Sequence, residues 1–391
     1  MIKKACLFLF LILLFAGFSR AETYEEADIL GQWYVYELDV HPTTGAYWLY
    51  ADVNVTGTSS VSGSFTGPDG SSQTITSGNA LIASNGALIA SFTTNTGLTG
   101  TFVDGLQDQN HTIFSYVSID TEYALGFGVG LKSEGQYQTA DMAGQWRFYG
   151  LEVDPVLPGL YWIVGDAQVE SSGTVSSGQY RGPDGTTIDL TSGQFSIGAN
   201  GKITAAFSFE GGLSSQVMDG MVDYLKTFAV FVDLDNTGRM GFDIALKKGG
   251  SYLSTDLAGT WIFYNFTIDT VQDIAYWVYG NGTIDDSGNL TGSYTAPDTS
   301  QFTISSGQAT IDSSGEITGS FTVAGVATET IQSGFMDQNK TMIVFVGTSD
   351  NGQMDLGIGL RTSDVPSSVG PAGDGGGSGG GGGCFIDFSI K

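Results

Sequence analysis

One signature returns three times along the 391 residues, with the same internal spacing: Tyr24, Asp28, Gly31 and Trp33, then Tyr137, Asp141, Gly144 and Trp146, then Tyr252, Asp256, Gly259 and Trp261. A long-period repeat of this kind constrains the fold more than any single motif, because each copy must be one structural unit of an array. The modules read as residues 22–133, 134–249 and 250–363.

Within a module the pattern is that of strands. In the third, Thr260 to Asp269 is the first strand and Tyr276-Trp277 opens the second; Gly280, Gly307 and Gly334 begin successive strand–turn–strand units. The same Tyr-Trp pair occurs as Tyr47-Trp48 and Tyr161-Trp162. The chain's 58 glycines suit the positive φ of tight hairpins. The closing strand alternates strictly, with Phe127, Val129 and Leu131 on one face and Gly126, Gly128 and Gly130 on the other. One face is a core face, and the glycine face lets something bulky approach the backbone. The opening strand is apolar on both faces, which fits a strand at a closure seam or under a neighbouring module. Helix is confined to a short turn at Asp28, Asp141 and Asp256, where an aspartate can cap exposed N–H groups. The fold class is therefore all-β: three tandem antiparallel meanders of about eight strands each. Small barrels, β-sandwiches and a propeller all remain open.

A base follows each closing strand: Lys132, Lys247 or Arg361. A short turn, Gly-x-Trp on the first strand, an eight-strand meander and a terminal base resemble the lipocalins and the wider calycin barrels. The resemblance implies that the base packs over the tryptophan and closes one barrel end. The matching residues are Gly31, Trp33 and Lys132; Gly144, Trp146 and Lys247; and Gly259, Trp261 and Arg361.

Residues 1–21 read as a secretory signal, with Lys3 and Lys4, an apolar run, then Ser19 and Ala21 at the cleavage-site positions. The formal charge of −27 excludes nucleic acid and anionic lipid as partners. Of the two cysteines only Cys384 survives processing, so no intrachain disulfide forms and each module must be held by its own core. On that view residues 134–249 fold alone. The two histidines, His41 and His111, do not recur between modules, and His111 reads as a solvated turn residue. No nucleophile triad, zinc spacing or phosphate loop is present, so no catalytic residue, metal or cofactor is expected. Carboxylates are the plentiful chemistry, but they fall mainly in turns such as those of Asp69, Asp184 and Asp298. Trp48, Trp162 and Trp277 are the candidate ligand-binding residues, through stacking on a glycan or a small apolar molecule; filling of the interior is their alternative role.

Residues 364–383 form a glycine-rich flexible linker and 384–391 a compact apolar tail. The run before and through Cys384-Phe385-Ile386 resembles bacterial C-terminal tails recognised in export or surface attachment, which makes Cys384 the expected attachment residue. The expected function is an exported, non-enzymatic structural or interaction component at the cell surface or outside the cell, the periplasm being a further compartment. The alternative is a lipocalin-type binder of a small ligand or glycan, and a third class is a carboxylate hydrolase with two acids facing across a groove. A cavity above roughly 300 Å³ would select the binder.

Overall fold

The computed structural model describes residues 23–154 and 159–362. The signal segment, the glycine-rich linker and the Cys384 tail lie outside the described residues. Those described form three closed antiparallel barrels of eight strands, each strand pairing with the next and the first with the eighth. Closed eight-strand barrels are what the calycin resemblance implies, and the barrel displaces the sandwich and the propeller. Closure leaves no free sheet edge in any module. The opening strands are Gly31–His41, Gly144–Asp154 and Gly259–Asp269; the closing strands are Leu125–Lys132, Met240–Lys247 and Gln353–Arg361.

Strand period divides each opening strand between two environments. Trp33 and Val35 join Phe65, Ile75 and Phe114 in a core inside barrel 1. Tyr34, Tyr36 and Leu38 point outward, into a core built from all three barrels. The closing strand does the same. Phe127, Val129 and Leu131 belong to the shared core, and Phe127 lies with its ring centroid 5.9 Å from that of Phe242 in barrel 2 and 6.2 Å from that of Phe266 in barrel 3. The glycine face is the inner wall, where the rings of Phe114 and Tyr116 lie over Gly130 and Gly128 so closely that a Cβ would collide with them. Barrels 1 and 3 thus have interior cores of their own, but a further core lies outside the barrels, between them. Each large apolar side chain buried there contributes about 1.5–3 kcal/mol.

The contacts between barrels run in one direction around a ring. Tyr36 of barrel 1 donates its hydroxyl to Asp219 of barrel 2 at 2.6 Å. Tyr149 of barrel 2 lies 3.4 Å from the Ser333 hydroxyl of barrel 3. Tyr264 of barrel 3 donates to Asp104 of barrel 1 at 2.7 Å. The three tyrosines hold one repeat position and their partners another, so a head-to-tail contact closes on itself.

Candidate functional site

Two ends of each barrel are distinct. At the first, Asp28, Asp141 and Asp256 sit in single helical turns and accept the backbone N–H of Glu25, Gln138 and Leu253 at 2.7, 2.9 and 2.8 Å. The indole N–H of Trp33, Trp146 and Trp261 is donated to the carbonyl of Ile29, Met142 and Leu257 at 2.8, 2.7 and 2.9 Å. Lys132, Lys247 and Arg361 stand directly across the strand pair from those tryptophans. Their charged groups lie 5.8, 5.6 and 4.7 Å from the ring centroids, and they donate to the carbonyls of Asp28, Asp141 and Asp256. Gly31, Gly144 and Gly259 enter the strand at positive φ (117°, 131° and 137°), which L side chains rarely adopt. This end is sealed. Lys132→Met keeps the stem and removes the cation; it is expected to lower stability by about 1–2 kcal/mol in urea unfolding. No measurable change would mean that the charge over the ring is idle.

His111 differs from the sequence reading. It is not simply solvated: Nδ1 lies 2.8 Å from Asp28, and the ring stacks on Tyr24 with centroids 4.7 Å apart. Lys226 and Lys340 occupy the equivalent place, 2.8 and 2.6 Å from Asp141 and Asp256. A cation beside the capping aspartate is therefore a repeat feature. It was hidden because the residue type changes.

Trp48, Trp162 and Trp277 lie in the seams between barrels and are almost wholly buried, at 1 %, 1 % and 2 % exposure. Their indoles donate to the carbonyls of Asp233, Gly347 and Ser118, each in the next barrel of the ring, at 3.0, 3.2 and 2.9 Å. The tyrosine before each tryptophan points the other way, because successive strand residues face opposite sides. Tyr47 makes a hydrogen bond with Asp39 and Tyr276 accepts from Gln353 at 3.0 Å, both inside their own barrels.

Those tyrosines mark a feature of the second barrel end that was not read from the sequence. Each barrel buries carboxyls at the same depth, but from different strand positions. In barrel 1 they are Glu37 and Asp39, with Gly128 and Gly126 opposite; in barrel 2 Asp243 stands opposite Gly150, and Glu152 opposite Gly241. In barrel 3 the same rows hold Asn265 opposite Gly357 and Thr267 opposite Asp355, with Glu329 two strands away from Asp355. The acids are carried on the inward period of strands, and in barrels 1 and 2 they face glycines that leave room for them. Among the described residues, Glu152, Asp233 and Asp243 bring carboxylate oxygens within 4.8 Å of one another, a donor set that suits only a hard cation.

Burial raises all these groups. Desolvation lifts Asp39, Glu152 and Asp243 well above the usual carboxylate range, with neighbouring acids adding to the effect. Burial brings Asp233 to about 6 even though it accepts from Ser215. In barrel 3, burial and the Asp355 charge push Glu329 up to about 9, and burial brings Asp355 to about 6. Glu329 and Asp355 are hydrogen-bonded to each other. Thr267 donates to Asp355 at 2.5 Å.

The barrels differ in how full they are. Barrel 1 is packed: Phe102 and Tyr116 stack with centroids 3.7 Å apart, and the space left is about 50 Å³. Barrel 3 has Ile331 and Ile343 in the strand positions that Phe102 and Phe114 hold in barrel 1. Phe263 and Phe302 stand instead where barrel 1 has Val35 and Gln73, so the rings are redistributed toward the wall. A cavity of about 1850 Å³, mouth included, runs from the interior to the end where the three barrels meet. Phe263, Tyr294, Phe302, Ile331 and Phe345 line its apolar part, while Leu125 and Leu160 of the other barrels border its mouth. Asn265, Thr267, Glu329 and Asp355 supply its polar patch.

No family model and no curated protein matches the sequence. Among solved structures, a double mutant of transferrin binding protein B from Haemophilus parasuis Hp5 is 12 % identical with a TM-score of 0.29, over 85 % of this chain and 76 % of that one. Isotype 1 transferrin binding protein B from serogroup B Neisseria meningitidis is 10 % identical at 0.29, over 81 % and 65 %. Kievitone hydratase from Nectria haematococca is 10 % identical at 0.21, over 89 % and 95 %. Scores this low carry no functional weight.

Proposed function

We propose that the chain is an exported, non-catalytic binding protein of lipocalin type, in which barrel 3 holds one small apolar ligand and barrels 1 and 2 act as scaffold. Repetition alone favours a structural surface component, because repetition supplies reach and avidity more readily than chemistry. The observation that moves the balance is the cavity that enters the third barrel, about 1850 Å³ with the groove between the barrels included, whereas barrel 1 is left with about 50 Å³. That space lies in the range of small-ligand pockets or above it, and its walls are mainly aromatic and aliphatic with a few convergent polar groups. Export rests on residues 1–21, and the surface handle on Cys384. A glycoside hydrolase would need its two carboxyls on either side of the scissile bond, roughly 5 Å or more apart. The Glu329–Asp355 pair is in direct hydrogen-bond contact instead.

A neutral apolar fluorophore tests the reading. N-phenyl-1-naphthylamine is expected to bind the mature protein saturably, at one site per chain, with enhanced emission. The double variant Ile331→Phe/Ile343→Phe places rings at the two positions where barrel 1 has them and should abolish that binding while the protein stays folded. Binding that the rings do not diminish, or no binding at all, rules out barrel 3 as a ligand site.

A further inference from the structure

We infer that the ligand of barrel 3 is an amphipathic amine, an apolar or aromatic body ending in a protonated nitrogen. This rests on the binding reading above and specifies the chemistry of the same cavity.

Three features of the wall point to a donor-rich cation. First, the polar patch holds two acceptors that no protein donor reaches: Asn265 Oδ1 and Glu329 Oε2 are both buried and lack a hydrogen-bond partner in the protein. An acceptor left in that state costs about 1–3 kcal/mol, so a ligand that donates to it recovers the loss. Second, the charge in the cavity is one-sided. Asp269, Asp273 and Asp298 border it together with Glu329 and Asp355, Asp154 being paired with Arg239, and no Lys or Arg is among the described residues that line it. A carboxylate ligand would enter against that field; an ammonium would enter with it. Third, Tyr276 and Tyr294 lie close enough to the carboxyl pair to feel its charge, and the wall continues into Phe302 and Phe263. Aromatic faces beside carboxylates attract a cation twice, through the charge and through the ring quadrupole.

The protonation of the pair fits the same ligand. At neutral pH Glu329 holds its proton and Asp355 has largely lost its own, so the pair carries about one negative charge without a counter-ion. An ammonium that donates to Glu329 Oε2 would stand beside that charge and offset it. Barrels 1 and 2 bury acids at the same depth. In barrel 1, however, Glu37 is occupied by Tyr116, which donates at 3.0 Å, and by Ser118.

Three eight-carbon ligands at pH 7.5 separate charge from apolarity: octylamine, 1-octanol and octanoate, each used to displace N-phenyl-1-naphthylamine from the mature protein. Octylamine is expected to displace the fluorophore at a concentration at least tenfold below that of octanol, and octanoate to be weakest. Glu329→Gln/Asp355→Asn should bring octylamine to the level of octanol while the fluorophore still binds. Retained fluorophore binding shows that this variant is folded; should it not fold, Asp355→Asn alone is expected to cut the amine preference severalfold. Equal or better displacement by octanol or octanoate, or an amine preference that survives removal of the carboxyls, overturns the inference and leaves the ligand barrel standing. Failure of the fluorophore to bind wild type overturns both.

Discussion

Replacing Trp277 by alanine is expected to cost about 3–5 kcal/mol of stability, the largest effect of any single substitution proposed for this chain. The side chain is 2 % exposed and fills the seam through which barrel 3 rests on barrel 1, donating to Ser118 at 2.9 Å. Truncation opens a hole that rigid barrels on either side cannot collapse into, and it leaves the Ser118 carbonyl without its indole. Trp277→Phe, which keeps most of the volume and removes the donor, should cost only about 1 kcal/mol from the hydrogen bond, plus a small packing loss. Urea unfolding of both variants checks the ratio. A loss below 1 kcal/mol for the alanine variant would mean that the seam contributes little. The same packing bears on residues 134–249 made alone. Tyr149, Leu151, Trp162, Phe242 and Ile244 would then lie bare on one side of the barrel. Such a fragment is expected to associate or to unfold at much lower urea, contrary to the independence that the lack of disulfides suggests.

A second large effect concerns pH. The protein should be more stable at pH 5 than at pH 8. Raised carboxyls make the folded chain bind protons more tightly than the unfolded one. Their stabilising contribution is complete below the ordinary carboxyl value of about 4 and is lost as pH rises through their folded values. Those values are about 6 for Asp104, Asp233, Asp337 and Asp355, about 7 for Asp223 and about 9 for Glu329, all raised chiefly by burial. Asp28, Asp141 and Asp256 act in the opposite sense. Burial works against them, but hydrogen bonds and the cations beside them hold them low, so their contribution is lost only below about pH 4. Asp104 gives the sharpest check. It sits in the seam between barrels 3 and 1 with Tyr264 as its donor, while its counterpart Asp219 has Lys202 at 2.7 Å. Asp104→Asn should therefore stabilise the chain by on the order of 2 kcal/mol at pH 8 and leave it unchanged near pH 4. A thermal midpoint that is flat or rises from pH 5 to 8 would show that the buried acids keep water.

The barrels themselves were legible because their signals are local and recur. Gly-x-Trp, the period-two closing strand and the terminal base each speak about one module. Two-sided apolarity in Trp33 to Tyr36 and Trp261 to Tyr264 even announces a neighbour. Which neighbour it is cannot be read from one module. The tryptophan of each Tyr-Trp pair could fill its own barrel or the next with the same residue type. The hollow barrel depends on Ile331 and Ile343 standing where barrel 1 has Phe102 and Phe114, a difference visible only once the strand register is known. The acid level was missed for a related reason. Asp69, Asp184 and Asp298 do lie in turns, where each accepts a nearby backbone N–H. Glu37, Asp243 and Glu329 share their composition but sit on the inner face of strands, and a glycine on the facing strand is the clue that marks the first two.

The head-to-tail ring has a consequence for how such a chain can change. Were the barrels separate identical subunits, every substitution would appear three times, and a cavity opened in one would open in all. Joined in one polypeptide, each position varies alone. Lys202 serves the first seam, Arg147 and Lys248 the second through Glu316, and Asp104 stands with a tyrosine in the third. One barrel can then rearrange its interior, at some cost in stability, while two others keep the ring standing.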